Sequence, residues 1–241
     1  MKRLIILLCF LFINLSIISQ TIHTYDEIID MHYYKAYYSK TIKTSSFVIY
    51  KLYKGGGNAS RASYSFKSYK NLPHFEYSRS GYDKGHLVPA EDLAVSNLKL
   101  KSTFYYINCV PQKPNLNRGV WKQYESKIRK RSQVDSLLII CGGCDYPRNN
   151  CIPKNCFKIV YDLRTKKCIY STLYTNTSHA TAKENDKLKQ TITFKKAIHL
   201  YNKNGGKNSS ILYFIIKKTL LYLYYSYIII FFYLKSFSNS L

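Results

Sequence analysis

His86, Asn117 and Glu125 are residue types that can hydrolyse a phosphodiester together, and they lie close along the chain. His86 stands in Gly81-Tyr-Asp-Lys-Gly-His-Leu-Val-Pro-Ala-Glu-Asp92, and the other two in Asn108-Cys-Val-Pro-Gln-Lys-Pro-Asn-Leu-Asn-Arg-Gly-Val-Trp-Lys-Gln-Tyr-Glu125. Attack of water on a phosphodiester needs a base beside the water and a cation beside the non-bridging and leaving oxygens. An imidazole with its ordinary pKa of about 6.5 is mostly neutral at about pH 7.5, and becomes an active base as pH climbs through that region. The Asn117 carbonyl is a hard oxygen suited to Mg²⁺, an ion that keeps most of its waters and needs few protein ligands. Glu125, eight residues on, could hold those waters. Each residue taken alone has an ordinary reading as well: a hydrogen-bonded structural histidine, a helix cap, a solvated surface charge.

Acting together requires elements that bring the three residues to one place. A helical pattern runs from Arg118 to about Ser132, with Trp121, Tyr124 and Ile128 at helical spacing. On such a helix residues 117, 121 and 125 form one slowly drifting stripe, with Trp121 bracing it. Upstream, Ser102 to Val110 (STFYYINCV) reads as a strand broken by Pro111–Asn117, and Ser46–Leu52 as a β-rich run ending at Gly55-Gly56-Gly57-Asn58. Residues 58–82 read as a long surface loop. Strands are expected at Ser136–Ile140, Phe157–Tyr161 and Cys168–Thr172, with a turn over Asp162–Lys167. Irregular alternation of helices with strands suited to antiparallel pairing predicts an α+β fold.

The whole constellation resembles the DNA/RNA non-specific endonuclease family, the ββα-metal or His-Me finger nucleases. The family signature is D-R-G-H followed by N-x-x-P-Q-x-x-x-x-N-x-x-x-W-x-x-x-E. Asp83, Gly85, His86, Asn108, Pro111, Gln112, Asn117, Trp121 and Glu125 match it in type and spacing. Weaker similarity extends the match over roughly residues 30–175. The resemblance implies a ββα-metal fold with a mainly antiparallel sheet flanked by helices, and hydrolysis of DNA and RNA with little sequence specificity. It implies His86 as general base, Asn117 as the metal ligand, and Glu125 orienting metal-bound water. Mg²⁺ is the expected ion, with Mn²⁺ as an alternative. It further implies that Asn108 hydrogen-bonds in the site and steadies the hairpin, that Arg61 reaches the scissile phosphate, and that Asp83 stabilises the motif's turn. Lys84 stands where the family has arginine: the charge is kept for substrate binding, but not the planar fork that grips a phosphate bidentately. Beyond about Thr175 the family's closing strand and helix are not evident in the sequence.

The chain has 241 residues, of which 46% are hydrophobic, which excludes wholesale disorder. Its 37 Lys+Arg against 13 Asp+Glu give a formal charge of +24, which draws it to polyanions. The accompanying richness in Lys, Asn, Ile and Tyr is also what AT-rich coding sequence produces unselected. Residues 1–19 carry a basic start (Lys2, Arg3), an apolar run and Ser16 and Ser19 before a cleavage point, the pattern of a signal peptide. A retained membrane anchor is the alternative. The expected organisation is a signal peptide at 1–19, the nuclease domain at 20–204, and an apolar tail at 205–241. The tail's unbroken apolar part, Leu220–Leu234, is short for a bilayer span, so both a membrane-associated tail and a functionless extension stay open. Export would give Cys109, Cys141, Cys144, Cys151, Cys156 and Cys168 an oxidising setting, so up to three disulfides are expected, with a structural zinc site as the alternative. No protein partner is inferable. Two other functions compete: a phosphodiesterase or nucleotide pyrophosphatase of the same fold, and an inactive cationic nucleic-acid-binding surface protein.

Overall fold

The strands of this protein are apolar on both faces, and the architecture follows from the need to cover both. A computed structural model describes residues 22–207. In the order of the chain the elements are β1 (Glu27–Asp30), β2 (Lys35–Ser39), β3 (Thr44–Leu52), β4 (Asp83–His86), α1 (Asn97–Ser102) and β5 (Cys109–Gln112). Then come α2 (Lys122–Arg131), β6 (Leu137–Cys144), β7 (Asn155–Asp162), β8 (Cys168–Thr175), β9 (Ala182–Glu184), α3 (Asp186–Thr191), α4 (Phe194–Asn202) and β10 (Gly206–Lys207). Eight strands form one antiparallel sheet in the order β10-β1-β2-β3-β6-β7-β8-β9, and β4 pairs with β5 in a separate ribbon. The α+β expectation holds.

Period-two alternation divides the strand side chains between two cores. Val48, Tyr50, Leu52, Leu137, Ile139 and Val160 face the β4–β5 ribbon and α2, packing with Leu87, Val110, Leu116, Trp121 and Ile128. Phe47, Ile49, Leu138, Ile140, Phe157 and Ile159 face the other way, onto Leu188, Ile192, Ala197 and Leu200 of the C-terminal helices and the turn between them. These helices, and β9 and β10 at opposite edges of the sheet, are the closing elements that the sequence did not reveal. β10 pairs with β1 through Gly206↔Ile28 and Lys207↔Glu27, so the first residues of the segment expected to be a tail belong to the sheet. The expected signal peptide and the remainder of the tail lie outside the described residues. Among the described residues no helix is long and apolar enough to cross a membrane.

Two local expectations are corrected. The STFYYINCV run is a strand only at its end: α1 stops at Ser102, a 3₁₀ turn spans Tyr106–Asn108, and β5 begins at Cys109. β5 then runs on through Pro111, which lacks an amide hydrogen but costs little in a strand with one paired edge. The helix expected from Arg118 is preceded by a wide π-type turn, Leu116–Trp121, broken at Gly119 (φ −101°, ψ −113°), and only then becomes regular.

Among the described residues the cysteines form no bridges: all six there are free thiols. Cys141 and Cys144 are three apart on β6 and so point to opposite faces, one into each core, which excludes a shared zinc. Cys156 lies on the face of Cys141, but Cys141 is paired with Lys158 and Cys156 with Gly143. That two-residue offset is a diagonal of about 7–8 Å, wider than the ~5.5–6 Å a disulfide prefers. Burial pushes the Cys141 and Cys156 thiols up to about 12, far from reactive thiolates.

The second core is fastened by tyrosines whose rings lie in it and whose hydroxyls reach helix carbonyls. Tyr37 stacks on Phe47 at 4.2 Å and donates to Leu200 O at 2.6 Å; Tyr161 donates to Ile192 O. Replacing Tyr37 with Phe keeps the ring and strands the Leu200 carbonyl, so it should cost about 1–2 kcal/mol. Chemical denaturation should show this as a lowered midpoint at unchanged m-value; an unchanged midpoint would show that the bond adds nothing.

Candidate active site

β4 and β5 run antiparallel in the register Asp83↔Gln112, Lys84↔Pro111, Gly85↔Val110 and His86↔Cys109, and the wide turn and α2 follow β5 directly. This strand–strand–helix unit places His86 on one side of a cleft and Asn117 and Glu125 on the other. The cleft has a volume of about 820 Å³, and Arg61, Lys84, Arg118 and Lys122 also line it, with Phe66, Tyr77, Tyr82 and Tyr106 as its aromatic part. Of the seven residues given a role from the sequence, six line this one cleft: His86, Asn117, Glu125, Arg61, Lys84 and Asp83.

The unit is tied together by polar contacts. The Asp83 carboxylate accepts from Asn117 Nδ2 at 3.0 Å and from Arg118 through Nε at 2.8 Å and NH2 at 2.7 Å. The Arg118 guanidinium holds the Asp83 carboxyl below the usual carboxylate range. With its nitrogen committed to Asp83, the Asn117 amide has its carbonyl oxygen to offer to the cleft. Trp121, 1% exposed, donates from Nε1 to His86 O at 3.2 Å. The turn that carries Asn117 is thus bonded to both ends of β4. Gly85 has a local reason to be glycine: a Cβ there would lie 2.2 Å from Gln112 Oε1.

The His86 ring is wedged between Phe66 at 4.7 Å and the edge of Phe104 at 5.2 Å. Its Nε2 is shut from solvent and has no hydrogen-bond partner. Burial, with Arg61 adding to it, pushes the imidazole down to about 3. This corrects the expectation of a base that switches on near pH 6.5: the ring is neutral well below that. A buried nitrogen left without a partner costs about 1–3 kcal/mol, and a reacting water or substrate would satisfy it. Across the cleft, burial pushes Glu125 up to about 7 against the opposing pull of Lys158.

Asn108 does not line the cleft. It is fully buried, accepts from Val88 N at 2.9 Å, and donates to Val88 O and Thr103 O at 3.0 Å each. All three bonds go to backbone, so the catalytic place expected for it becomes a positioning one, fixing the segment just after His86. Lys84 is exposed, with Nζ 5.8 Å and 5.7 Å from the Phe66 and Tyr106 ring centres. Arg61 is exposed and lies 5.8 Å over the Phe104 ring.

Sequence reasoning missed a second set of charges behind the cleft. Arg129 of α2 donates to Asp92 Oδ1 at 2.6 Å and also bonds Glu91, while Tyr50 donates to Asp92 Oδ2 at 3.0 Å. Lys158, on β7, is 1% exposed and lies 3.8 Å from Glu125 Oε1. A lysine within the apolar run Phe157-Lys-Ile-Val-Tyr161 was the available signal. The pairing of Arg118 with Asp83 had none, because it depends on how the turn folds back on β4.

The sequence model of the DNA/RNA non-specific endonuclease family matches residues 15–214. A nuclease of Nostoc sp. is 32% identical over 141 residues, covering 53% of this chain and 51% of the relative. Mitochondrial endonuclease G of Bos taurus is 31% identical over 94 residues, covering 37% of this chain and 31% of the relative. The chain therefore matches about half the length of these relatives or less. A solved complex of EndoG with EndoGI shares the fold, with a TM-score of 0.54 at 20% identity over 62% of this chain and 74% of that one. The signature residues, the ββα unit that carries them and a match over most of the chain agree: this protein belongs to the DNA/RNA non-specific endonuclease family.

Proposed function

We propose that this protein is a metal-dependent endonuclease that hydrolyses DNA and RNA with little sequence specificity, exported by its first 19 residues. The observation that carries the reading is the convergence of a neutral histidine with an enclosed Nε2 and an oriented asparagine amide on one cation-lined cleft.

The donor set fits a hard divalent ion. Asn117 would hold it through its carbonyl oxygen, with the Glu125 carboxylate lining the same cleft. Mg²⁺ is the expected ion and Mn²⁺ an alternative; when bound, it supplies positive charge beside the phosphate and leaving oxygens. His86 takes the proton of the attacking water, and burial keeps it ready to do so by excluding the protonated ring. Lys84 and Arg61 would bind phosphates on either side of the scissile one. Contacts made to the shared backbone rather than to base edges give low sequence specificity, on single or double strands. The relatives' names support the hydrolysis of nucleic acid, and the +24 charge favours a polymer over a small diester.

Two variants separate the roles. His86→Ala removes the base and leaves Asn117 in place, so Mg²⁺ should still bind while plasmid cleavage falls by about 10²–10⁴-fold or more. Asn117→Ala should weaken metal binding and regain part of its activity at high Mg²⁺. Near-normal turnover in His86→Ala would refute the assignment.

The position of the imidazole gives a pH test. A histidine whose folded pKa lies near 3, below an unfolded value of about 6.5, favours the native state while neutral. It opposes the native state as pH falls from 6.5 toward 3. In the metal-free protein the His86 ring signals should therefore stay at the neutral position from pH 8 down to 5 in NMR, and native stability should fall on acidification below 6.5. Titration of His86 between pH 6 and 7 would show that the ring is not buried as described.

A further inference from the structure

Lys158 is the charged residue whose place the hydrolytic mechanism leaves unexplained. Its side chain is 1% exposed, in the middle of the central strand β7. Nζ has no hydrogen-bond partner. It lies 3.7 Å from the centre of the Trp121 ring and 3.8 Å from Glu125 Oε1. A buried ammonium without hydrogen bonds is costly, and replacing a buried ion pair as a whole by apolar residues is often neutral or stabilising. Packing alone therefore does not account for a lysine here.

We propose that Lys158 is a positioning residue for the reaction assigned above: a cation built into the sheet that pairs with the Glu125 carboxylate and holds it in place at the cleft. Two contacts fix where that cation lies. The Trp121 ring gives it a π face, and the same ring donates to the His86 carbonyl, so Lys158, Trp121 and the base share one rigid support. The carboxylate it faces is deprived of water, with Asp92 and Glu91 opposing its charge and Arg129 favouring it alongside Lys158. Arg129 is engaged directly with Asp92 and Glu91, whereas Lys158 Nζ faces Glu125 Oε1. Lys158 touches neither the cleft nor the substrate, because its Nζ is enclosed. It acts through Glu125.

The inference rests on the nuclease reading, and a double-mutant cycle keeps the two apart. Lys158→Met replaces the ammonium with an apolar group of similar length; Glu125→Gln removes the charge on which Lys158 is inferred to act. Plasmid cleavage at saturating Mg²⁺ and thermal unfolding would be measured for the wild type, both single variants and the double variant. Trp121, the chain's one tryptophan, reports by its emission whether the local packing survives. The expected result is a Lys158→Met protein with a lowered Tm, because Glu125 loses its partner, but with retained buried emission at the assay temperature and at least ten-fold slower cleavage there. In the Glu125→Gln background the same substitution should change the rate less than two-fold. Equal losses in both backgrounds, undiminished activity, or loss of the buried emission at the assay temperature would overturn the inference. Should methionine not be accommodated, Lys158→Leu runs the same cycle with the same criteria. A wild type that cleaves nothing would instead refute the nuclease reading itself.

Discussion

The bonds between β4 and the turn that precedes α2 decide whether this protein has a site at all. Asp83 at one end of β4 holds Asn117 and Arg118, and the His86 carbonyl at the other end receives Trp121. Those contacts set the His86 ring and the Asn117 amide across one cleft. The apolar residues beneath them, Leu87, Val110, Leu116 and Ile128, seat the unit on the sheet but do not aim any polar atom. Placing a functional side chain to within a fraction of an ångström needs directional bonds on a rigid support, and here both ends of one short strand supply them.

The same burial that stabilises the unit sets its electrostatics. His86 and Glu125 are moved in opposite directions by one cause, exclusion of water: the imidazole is driven to its neutral form, and the carboxyl is made reluctant to ionise. Neutral is the form that the base role proposed for His86 needs, though the same burial weakens the ring's pull on a proton. Glu125 needs help, and the buried charges nearby fall into two kinds. Arg129 is committed to Asp92 and Glu91, whereas Lys158 has only Glu125 and an aromatic face. The exposed cations of the cleft, Lys84 and Arg118 among them, belong to the surface and are screened by salt.

What could be read from the sequence followed from local chemistry. The spacing from Asp83 to Glu125 marked residues that line one cleft and belong to the ββα unit, because each sits on a short element with a strong local pattern. The β-rich run Ser46–Leu52 and the apolar run Ser136–Ile140 marked interior strands. What failed depended on the third dimension. STFYYINCV is rich in β-formers, yet Asn108 spends its side chain on the backbone of Val88 and Thr103 and holds a turn there. The cysteine quartet suggested sulfur chemistry until strand pairing set Cys141 and Cys144 on opposite faces. The low pKa of His86 could not be foreseen, because Phe66 comes from a long loop without regular structure and Phe104 from the turn after α1.

The most direct measurement is a digest by the purified protein of supercoiled plasmid and of single-stranded RNA, with Mg²⁺ and with excess chelator. The arrangement described here predicts nicking and then degradation of the plasmid, and loss of the RNA, with Mg²⁺, and no cleavage of either once the metal is removed. Cleavage that persists in chelator, or failure to cut either polymer with any divalent ion, would contradict it.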